Sequence, residues 1–372
     1  MMDNFIVDKN NKIYQRALKR EMEVWRKSAE KHKSKAKKKM IFEEYVGLNS
    51  LLLHYDNNKF GIDSTSIFGW VDFITKKYKR VDKALSLGSG SGRYEKAFIE
   101  RGFVKKFDTL DIIQKNPLDS EINDLNFIHL PNNKYDFILC NSILHHIMNL
   151  EHLLFQVNKA LKNNGIIVVN EYCGESKFQL SDEKIKILNT KLSKKFGKKY
   201  LFLKIKKAPM WNYSPFEGVR SSGIHPIIKE YFSNSTEFEI TWNGVVAPIH
   251  SHLANVARYE TRYYNSFLYN IIILHPRFRQ ERDLKTNVEI VNEVLEYAVE
   301  LDKELTNSKS LMPGTLFGVY RKSNNIAPIP VRPWTNKELR YQLNLHLPIY
   351  LRIKRYFRRF KYLRKFYRFI KK

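Results

Sequence analysis

Apolar and polar positions change period several times along the chain, and each change marks an element. The run ALSL passes through Gly88, Gly90 and Gly92 into RYEKAFIE, which reads as a buried strand, a glycine turn and a helix start. FDTLDII and KYDFILCNS read as two more buried strands. From Met148 to Leu161 the residues Leu150, Leu153, Leu154, Val157 and Leu161 fall at helical spacing, Gly165 is the expected stop, and the strand IIVVNEY follows at once. Strand, helix, strand, strand, helix, strand predicts a right-handed, mostly parallel α/β sheet.

The flanks are helical in period. Residues 10–39 form a charged pattern with a broken stripe of Ile13, Ala17, Met22, Val24 and Trp25, which predicts a solvent-facing arm. IFEEYVGLNSLLLHY and IFGWVDFITKKY predict two amphipathic helices leading into the sheet. After Tyr172 the chain makes a long excursion: a helix capped by Ser181, the loop KAPMWNYSPFEG, the short helix GIHPIIKEYF, the strand EFEITW and an aromatic-rich helical stretch over 250–270. Val291, Val294, Leu295, Ala298 and Leu301 then give a strong helix, and LFGVYRK a closing strand. IAPIPVRPW reads as a proline-spaced linker. In the last stretch Ile349, Ile353, Phe357, Phe360, Leu363, Tyr367 and Ile370 recur at steps of three and four among basic residues, predicting an amphipathic helix.

Composition narrows the class. A chain of 372 residues with 43% hydrophobic and 13% aromatic content builds a substantial core and is not disordered. Cys140 and Cys173 both fall in or beside apolar strands, giving neither a disulfide framework nor metal-ligand spacing, so a reducing, cytoplasmic location is expected. No basic leader with an apolar core opens the chain and no run is long enough to span a bilayer, so neither export nor membrane threading is expected. The formal net charge of +27 lies mostly at the ends: residues 351–372 hold eleven basic residues and no acid, and residues 1–40 hold thirteen basic and five acidic ones. Such appended charge implies an anionic partner, a membrane surface or nucleic acid, and says little about chemistry in the middle.

Gly88, Gly90 and Gly92 carry no Cβ, so the backbone bends tightly and approaches a nucleotide-like ligand closely. Asp111 follows Gly92 by nineteen residues at the end of the next apolar strand, where an acid accepts hydrogen bonds from ribose hydroxyls. LSLGSGSG, Asp111, YDFILCNSILHHI and LKNNGIIVVNEY together resemble the motifs of a class I S-adenosylmethionine-dependent methyltransferase. NEYCGESKFQ, GVRSSGIHPIIKEYF and LFGVYRK are similar, more specifically, to a bacterial family associated with surface-polysaccharide biosynthesis; the resemblance spans roughly residues 45–322.

That resemblance implies a Rossmann-like sheet, mostly parallel with an antiparallel last strand, carrying helical additions, and it covers neither end of the chain. With the ends read from their own charge, prolines and periodicity, the expected division is a basic helical N-terminal extension (1–40), a methyltransferase domain (41–325), a Pro-containing linker (326–346) and a basic amphipathic helical tail (347–372). S-adenosyl-L-methionine is the implied cofactor, with Ser86, Gly88, Gly90, Gly92, Asp111, Asn141 and, on the adenine side, Asp124 and Leu125 as its implied contacts. Ser86 stands where many relatives carry an acid that contacts the amino group of the methionine moiety. Only twelve residues separate Asp111 from Asp124, so the second helix and third strand are expected to be short or missing.

Methyl transfer from a sulfonium is an in-line displacement governed by positioning, and an alcohol acceptor must also lose a proton. His145 and His146, just past the fourth strand, are the candidate bases, and Glu171 is the alternative, or else the group that orients a histidine. Tyr172 and Arg220 are candidate substrate contacts, although Arg220 suits a loop-fixing salt bridge equally well. His225, His250 and His252 lack a carboxylate at ligand spacing, so no metal is expected there. The expected reaction is O-methylation of a sugar on a membrane-associated glycan or lipid-linked saccharide, with the tail on the inner face of the cell membrane. A nucleic-acid methyltransferase is disfavoured, because Asn141-Ser142-Ile143 lacks the Pro-Pro-aromatic turn of base-amino methylation and neither cysteine follows Pro or Thr. A non-catalytic scaffold on the same fold is the third reading, suggested by Ser86.

Overall fold

The computed structural model describes residues 5–34, 48–113, 121–197, 204–207, 214–253, 288–308, 310–324, 326–343 and 345. Its helices are α1 (Lys12–Ser34), α2 (Leu48–Asn58), α3 (Gly69–Lys77), α4 (Arg93–Glu100), α5 (Leu150–Ala160), α6 (Asp182–Phe196), α7 (Ser221–Phe232), α8 (Val288–Asn307) and α9 (Asn336–Gln342), with a further helical stretch over 246–253. The strands are β1 (Val81–Leu87), β2 (Val104–Asp111), β3 (Glu121–Ile122), β4 (Tyr135–Asn141), β5 (Leu161–Tyr172), β6 (Thr236–Trp242) and β7 (Thr315–Arg321). They form one sheet in the order β3-β2-β1-β4-β5-β7-β6. Every neighbouring pair from β3 to β5 is parallel, and β7 is antiparallel to both β5 and β6, so β7 alone runs against the rest. The sequence reads this α/β sheet, its reversed last strand and its short third strand correctly.

Successive side chains of a strand point to opposite faces, and both faces are covered. Ala84, Phe137, Val168 and Phe317 pack with Val71 and Ile74 of α3, Ala97 and Phe98 of α4, Leu188 of α6 and Val294 of α8. Leu85, Leu87, Ile138, Cys140, Ile167 and Val169 pack with Leu150, Leu153, Leu154 and Val157 of α5 and Ile224 and Ile228 of α7. Ser181 caps α6 by accepting from the Lys184 N–H at 3.0 Å, as its place before the helix predicts.

Three expectations need correction. The stop assigned to Gly165 is misplaced: α5 ends at Ala160, and Leu161 already pairs with Tyr135, so Gly165 lies inside β5, where a Cβ would stand 2.9 Å from the Tyr135 carbonyl oxygen. The helix over 10–39 is not a free arm in its described part. Tyr14 and Ala17 of α1 are fully buried with Ile6, Val7, Met148, Phe216 and Val219 in a third apolar cluster. Nor does the stretch 326–346 behave as a linker where it is described. Val331 and Trp334 pack on that cluster, Leu339 and Leu343 are part of it, the Trp334 N–H donates to the Ile6 carbonyl at 2.8 Å, and Thr335 with Glu338 forms a capping box on α9. Asn149 ties the N-terminal segment down, its Oδ1 accepting from the N–H groups of Ile6 at 2.9 Å and Val7 at 3.2 Å. The tail expected over 347–372 lies outside the described residues. Among the described residues no helix is long and apolar enough to cross a membrane.

Candidate active site

β1, β2, β4 and β5 all end at one edge of the sheet, with the reversal of strand order between β1 and β4; ligands of open α/β sheets sit beyond this edge. Gly88, Gly90 and Gly92 link β1 to α4 at φ of 66°, 55° and 72°, left-handed values that cost a side chain of ordinary chirality roughly 1–2 kcal/mol each. A Cβ at Gly90 would meet nothing within 4 Å, so the space beside this residue is open and not filled by packing. Asp111, at the end of β2, is buried and faces the loop, its Oδ2 accepting from the Gly90 N–H at 2.8 Å.

Ser86 is also buried, and its hydroxyl lies 2.5 Å from Glu95 Oε1. Glu95 comes from the first turn of α4 and is itself 3% exposed, with Oε2 buried and free of any hydrogen bond. Burial pushes its pKa up, against the hydrogen bond from Ser86. The sequence points to Ser86 as a lost acid; the structure puts a carboxylate beside it from another element. An orphaned buried carboxylate oxygen under the glycine loop suits the ammonium of a methionine moiety, while Asp111 suits a ribose, so the residues present fit S-adenosylmethionine.

Asp124 and Leu125 lie apart from that loop in their bonding. Asp124 accepts from the Tyr14 hydroxyl of α1 at 2.7 Å and from the N–H and side-chain amide of Asn126 at 3.1 Å, and Leu125 is buried. Asn141 Oδ1 accepts from Asn170 Nδ2 at 2.9 Å at the top of β4.

After Asn141 the chain turns through Ser142 at φ 54° into a single tight turn, Leu144–His146. Glu171, buried on β5, organises this turn. Its Oε2 accepts from the N–H groups of Ile143 at 2.7 Å and Leu144 at 2.6 Å, and its Oε1 lies 2.5 Å from His145 Nδ1 and 2.9 Å from the Tyr172 N–H. With four partners and no exposure Glu171 orients His145 and is not a free base. His145 Nε2 lies 3.4 Å from Glu217 Oε1, and His146 Nε2 lies 3.9 Å from the same oxygen. His146 Nδ1 is 3.2 Å from Glu21 Oε1 of α1, close enough for an ion pair but not aligned as a hydrogen bond. Burial works against a charged His145 ring, yet the charge and hydrogen bond of Glu171, together with Glu217, outweigh it and lift its pKa to about 10. Burial likewise opposes the Glu217 carboxylate, and the two histidines still hold its pKa below the usual value.

Glu21, Glu217, Trp25 and Glu95 are the site residues that sequence reasoning missed. Trp25 packs edge-on to His146, with ring centroids 5.6 Å apart, and donates to Glu21 at 2.8 Å. Glu21 also accepts from Ser214 Oγ at 2.9 Å and the Phe216 N–H at 3.2 Å, fixing the Glu217 loop to α1. The available signal was the spacing of Tyr14, Ala17, Glu21 and Trp25, one helical stripe with an acid in it.

The two candidate substrate contacts are largely committed elsewhere. Arg220 makes a bidentate pair with Glu151 at 2.6 and 2.7 Å and donates to the Met148 carbonyl at 2.6 Å, so its fork joins the start of α7 to α5. Tyr172 stacks on Phe178, centroids 4.2 Å apart, beside His145. His225 pairs with Glu239 at 3.1 Å, on β6.

Strand order, reversed β7, glycine loop and acid at the end of β2 are those of a Rossmann-like methyltransferase fold. Residues 62–217 match the family described as Methyltransferase domain. No curated protein matches the chain. Among solved structures it is similar to an S-adenosylmethionine-dependent methyltransferase from Mesorhizobium loti, at 20% identity over 27% of this chain and 50% of that one with a TM-score of 0.24. It is also similar to a sarcosine dimethylglycine methyltransferase from Galdieria sulphuraria, at 14% identity over 73% and 86% with a TM-score of 0.37. A third is phosphoethanolamine N-methyltransferase 2 of Haemonchus contortus, at 13% identity over 67% and 50% with a TM-score of 0.34. The chain spans about half the length of the first solved structures it matches.

Proposed function

We propose that the protein transfers the methyl group of S-adenosylmethionine to a hydroxyl oxygen of a saccharide, carried on a membrane-associated glycan or a lipid-linked intermediate. The observation that carries the oxygen acceptor is the cluster of buried His145 with partly buried His146 and Glu217, beyond the ends of β4 and β5, held in place by Glu171 and Glu21. A hydroxyl is a weak nucleophile until its proton is drawn away, and a cluster of imidazoles and carboxylates activates it. The donor supplies an electrophilic methyl on a sulfonium. The methyl–sulfur bond breaks as the methyl–oxygen bond forms, the hydroxyl proton passes to His146 Nε2 because Glu171 and Glu217 keep His145 in its charged form, and S-adenosylhomocysteine leaves. Gly90, Asp111 and Glu95 hold the donor, and Glu171 keeps the cluster in register.

The saccharide and membrane parts of this reading are supported by the family resemblance over residues 45–322 and by the basic, aromatic tail after residue 346. Its test is transfer from methyl-labelled S-adenosylmethionine to a lipid-linked saccharide fraction by the full chain. Label is expected as an alkali-stable methyl ether, released as an O-methyl sugar on acid hydrolysis. Label recovered in nucleic acid, or on nitrogen, overturns it.

A further inference from the structure

We propose that His145, His146 and Glu217 form a binding site for one divalent first-row transition cation of the zinc class. One donor atom from each of the three lies within 4.8 Å of the others, and Glu217 Oε1 is 3.4 Å from His145 Nε2 and 3.9 Å from His146 Nε2. Donors about 2.1 Å from a tetrahedral ion stand roughly 3.4 Å apart, which the Glu217–His145 pair already matches at 3.4 Å and the Glu217–His146 pair approaches at 3.9 Å. The two rings lie side by side, with centroids 4.3 Å apart, because a tight turn and not a regular helix carries them.

The surroundings match what metal-bound imidazoles need. A ligating histidine presents one ring nitrogen to the ion and gives the other to a carboxylate or carbonyl, which fixes the ring. Here Glu171 holds His145 Nδ1 and Glu21 stands beside His146 Nδ1, so both Nε2 atoms face Glu217. Three carboxylates thus converge on two imidazoles, and a dication held between the two Nε2 atoms and Glu217 offsets part of that concentrated negative charge. Two imidazoles with one carboxylate favour zinc, cobalt, iron or manganese over magnesium or calcium. Three protein ligands leave a position open, and Glu217, with a fifth of its side-chain surface exposed, keeps that position reachable.

The binding stands apart from the acceptor reading, whereas its role rests on it. With the cation present the histidines are ligands, and an acceptor hydroxyl in the open position loses its proton to water more readily because the cation favours the alkoxide.

The experiment uses the full chain, stripped with chelator and titrated with Co²⁺ alone, then with Zn²⁺. One Co²⁺ per chain with a visible ligand-field band, bleached by Zn²⁺, is expected. His146→Ala and Glu217→Gln are expected to lose the band, and Glu171→Gln to weaken binding by about 10–100-fold, as removal of an orienting partner does. Unchanged melting temperatures of His146→Ala and Glu217→Gln in chelator show that these variants are folded. A stripped parent that shows no band, or both of these variants binding like the parent, overturns the site. Co²⁺ binding with no methyl transfer to saccharide supports the site and defeats the acceptor reading; transfer undiminished by chelator defeats the role in catalysis.

Discussion

Glu171 on β5 reaches across to β4 and joins His145 to the turn that carries it: Oε1 lies 2.5 Å from His145 Nδ1 while Oε2 takes the N–H groups of Ile143 and Leu144. One buried carboxylate therefore sets both where the backbone turns and how the ring points.

Replacing Glu171 by Gln keeps the volume but removes the charge facing His145. Turnover is expected to fall by about 10²-fold or more, at the lower end of what general acid–base groups contribute, with KM for the donor little changed. Steady-state kinetics with a parallel S-adenosylhomocysteine titration checks this. A drop in donor affinity that accounts for the whole loss would show that Glu171 supports the fold of the cofactor site and not the cluster.

Gly90→Val places a branched side chain at φ 55° over the ligand space, and Asp111→Ala removes the carboxylate facing the loop. Both variants are expected to melt cooperatively yet lose S-adenosylhomocysteine binding in calorimetry. Parent-like affinity in Asp111→Ala would remove Asp111 from the ribose.

The sheet was legible because its signals are local. Apolar runs of strand length, glycines at a turn and leucines at helical spacing each lie within a dozen residues, and the same is true of Gly88 to Gly92 and of the adjacent His145 and His146. The rest of the cluster was not legible, since Glu21 and Glu217 lie far from His145 in sequence and no local pattern marks either of them. Glu95 was hidden for a different reason: the loss of an acid at Ser86 shows in the sequence, but its replacement from the facing helix is a matter of packing. Pro328, Pro330 and Pro333 forbid a regular element over their own stretch and so suggest a spacer, yet Val331 and Trp334 pack on the cluster built around Tyr14 and Ala17 of α1, and Leu339 and Leu343 are part of it.

Glu95→Gln tests that replacement. Losing a charge-assisted bond to an ammonium costs about 1.5–3 kcal/mol, or roughly 10–100-fold in affinity. The loss is expected for S-adenosylhomocysteine and not for an analogue lacking the amino group. Equal losses for the two ligands would place Glu95 in the scaffold only.

Glu239 binds Lys229 at 2.6 Å, His225 at 3.1 Å and the Tyr320 hydroxyl at 2.7 Å, joining α7, β6 and β7. Burial opposes its charge, but hydrogen bonds from His225, Lys229 and Tyr320 hold its pKa down to about 2, below the usual 4.5. A depressed carboxylate contributes stability that is present above its unfolded pKa and lost as pH falls through the folded one. Glu239→Gln is therefore expected to melt below the parent at pH 7, with the gap closing between about pH 4.5 and pH 2. A gap independent of pH would mean that the charge contributes nothing and only packing was disturbed.

The last expectation concerns the stretch after residue 346, LPIYLRIKRYFRRFKYLRKFYRFIKK. Its apolar residues recur every three or four positions, Pro348 stands where a helix start tolerates it, and arginine and lysine fill most of the rest. Such a helix seats aromatic side chains at the headgroup boundary while each cation near an anionic surface contributes about 1 kcal/mol. Packing on the body is opposed by charge, because residues 351–372 carry eleven cations and no acid on a chain of net +27. Leu339 and Leu343 are buried in the body, so a clean deletion starts at residue 347 and not before. The full chain is expected to float with vesicles containing phosphatidylserine and far less with neutral ones, falling further as salt screens the attraction. Removal of 347–372 is expected to abolish flotation and leave S-adenosylhomocysteine binding intact. Equal flotation of the shortened chain would move the membrane contact elsewhere, and retention on RNA without lipid binding would replace the membrane partner with a nucleic acid.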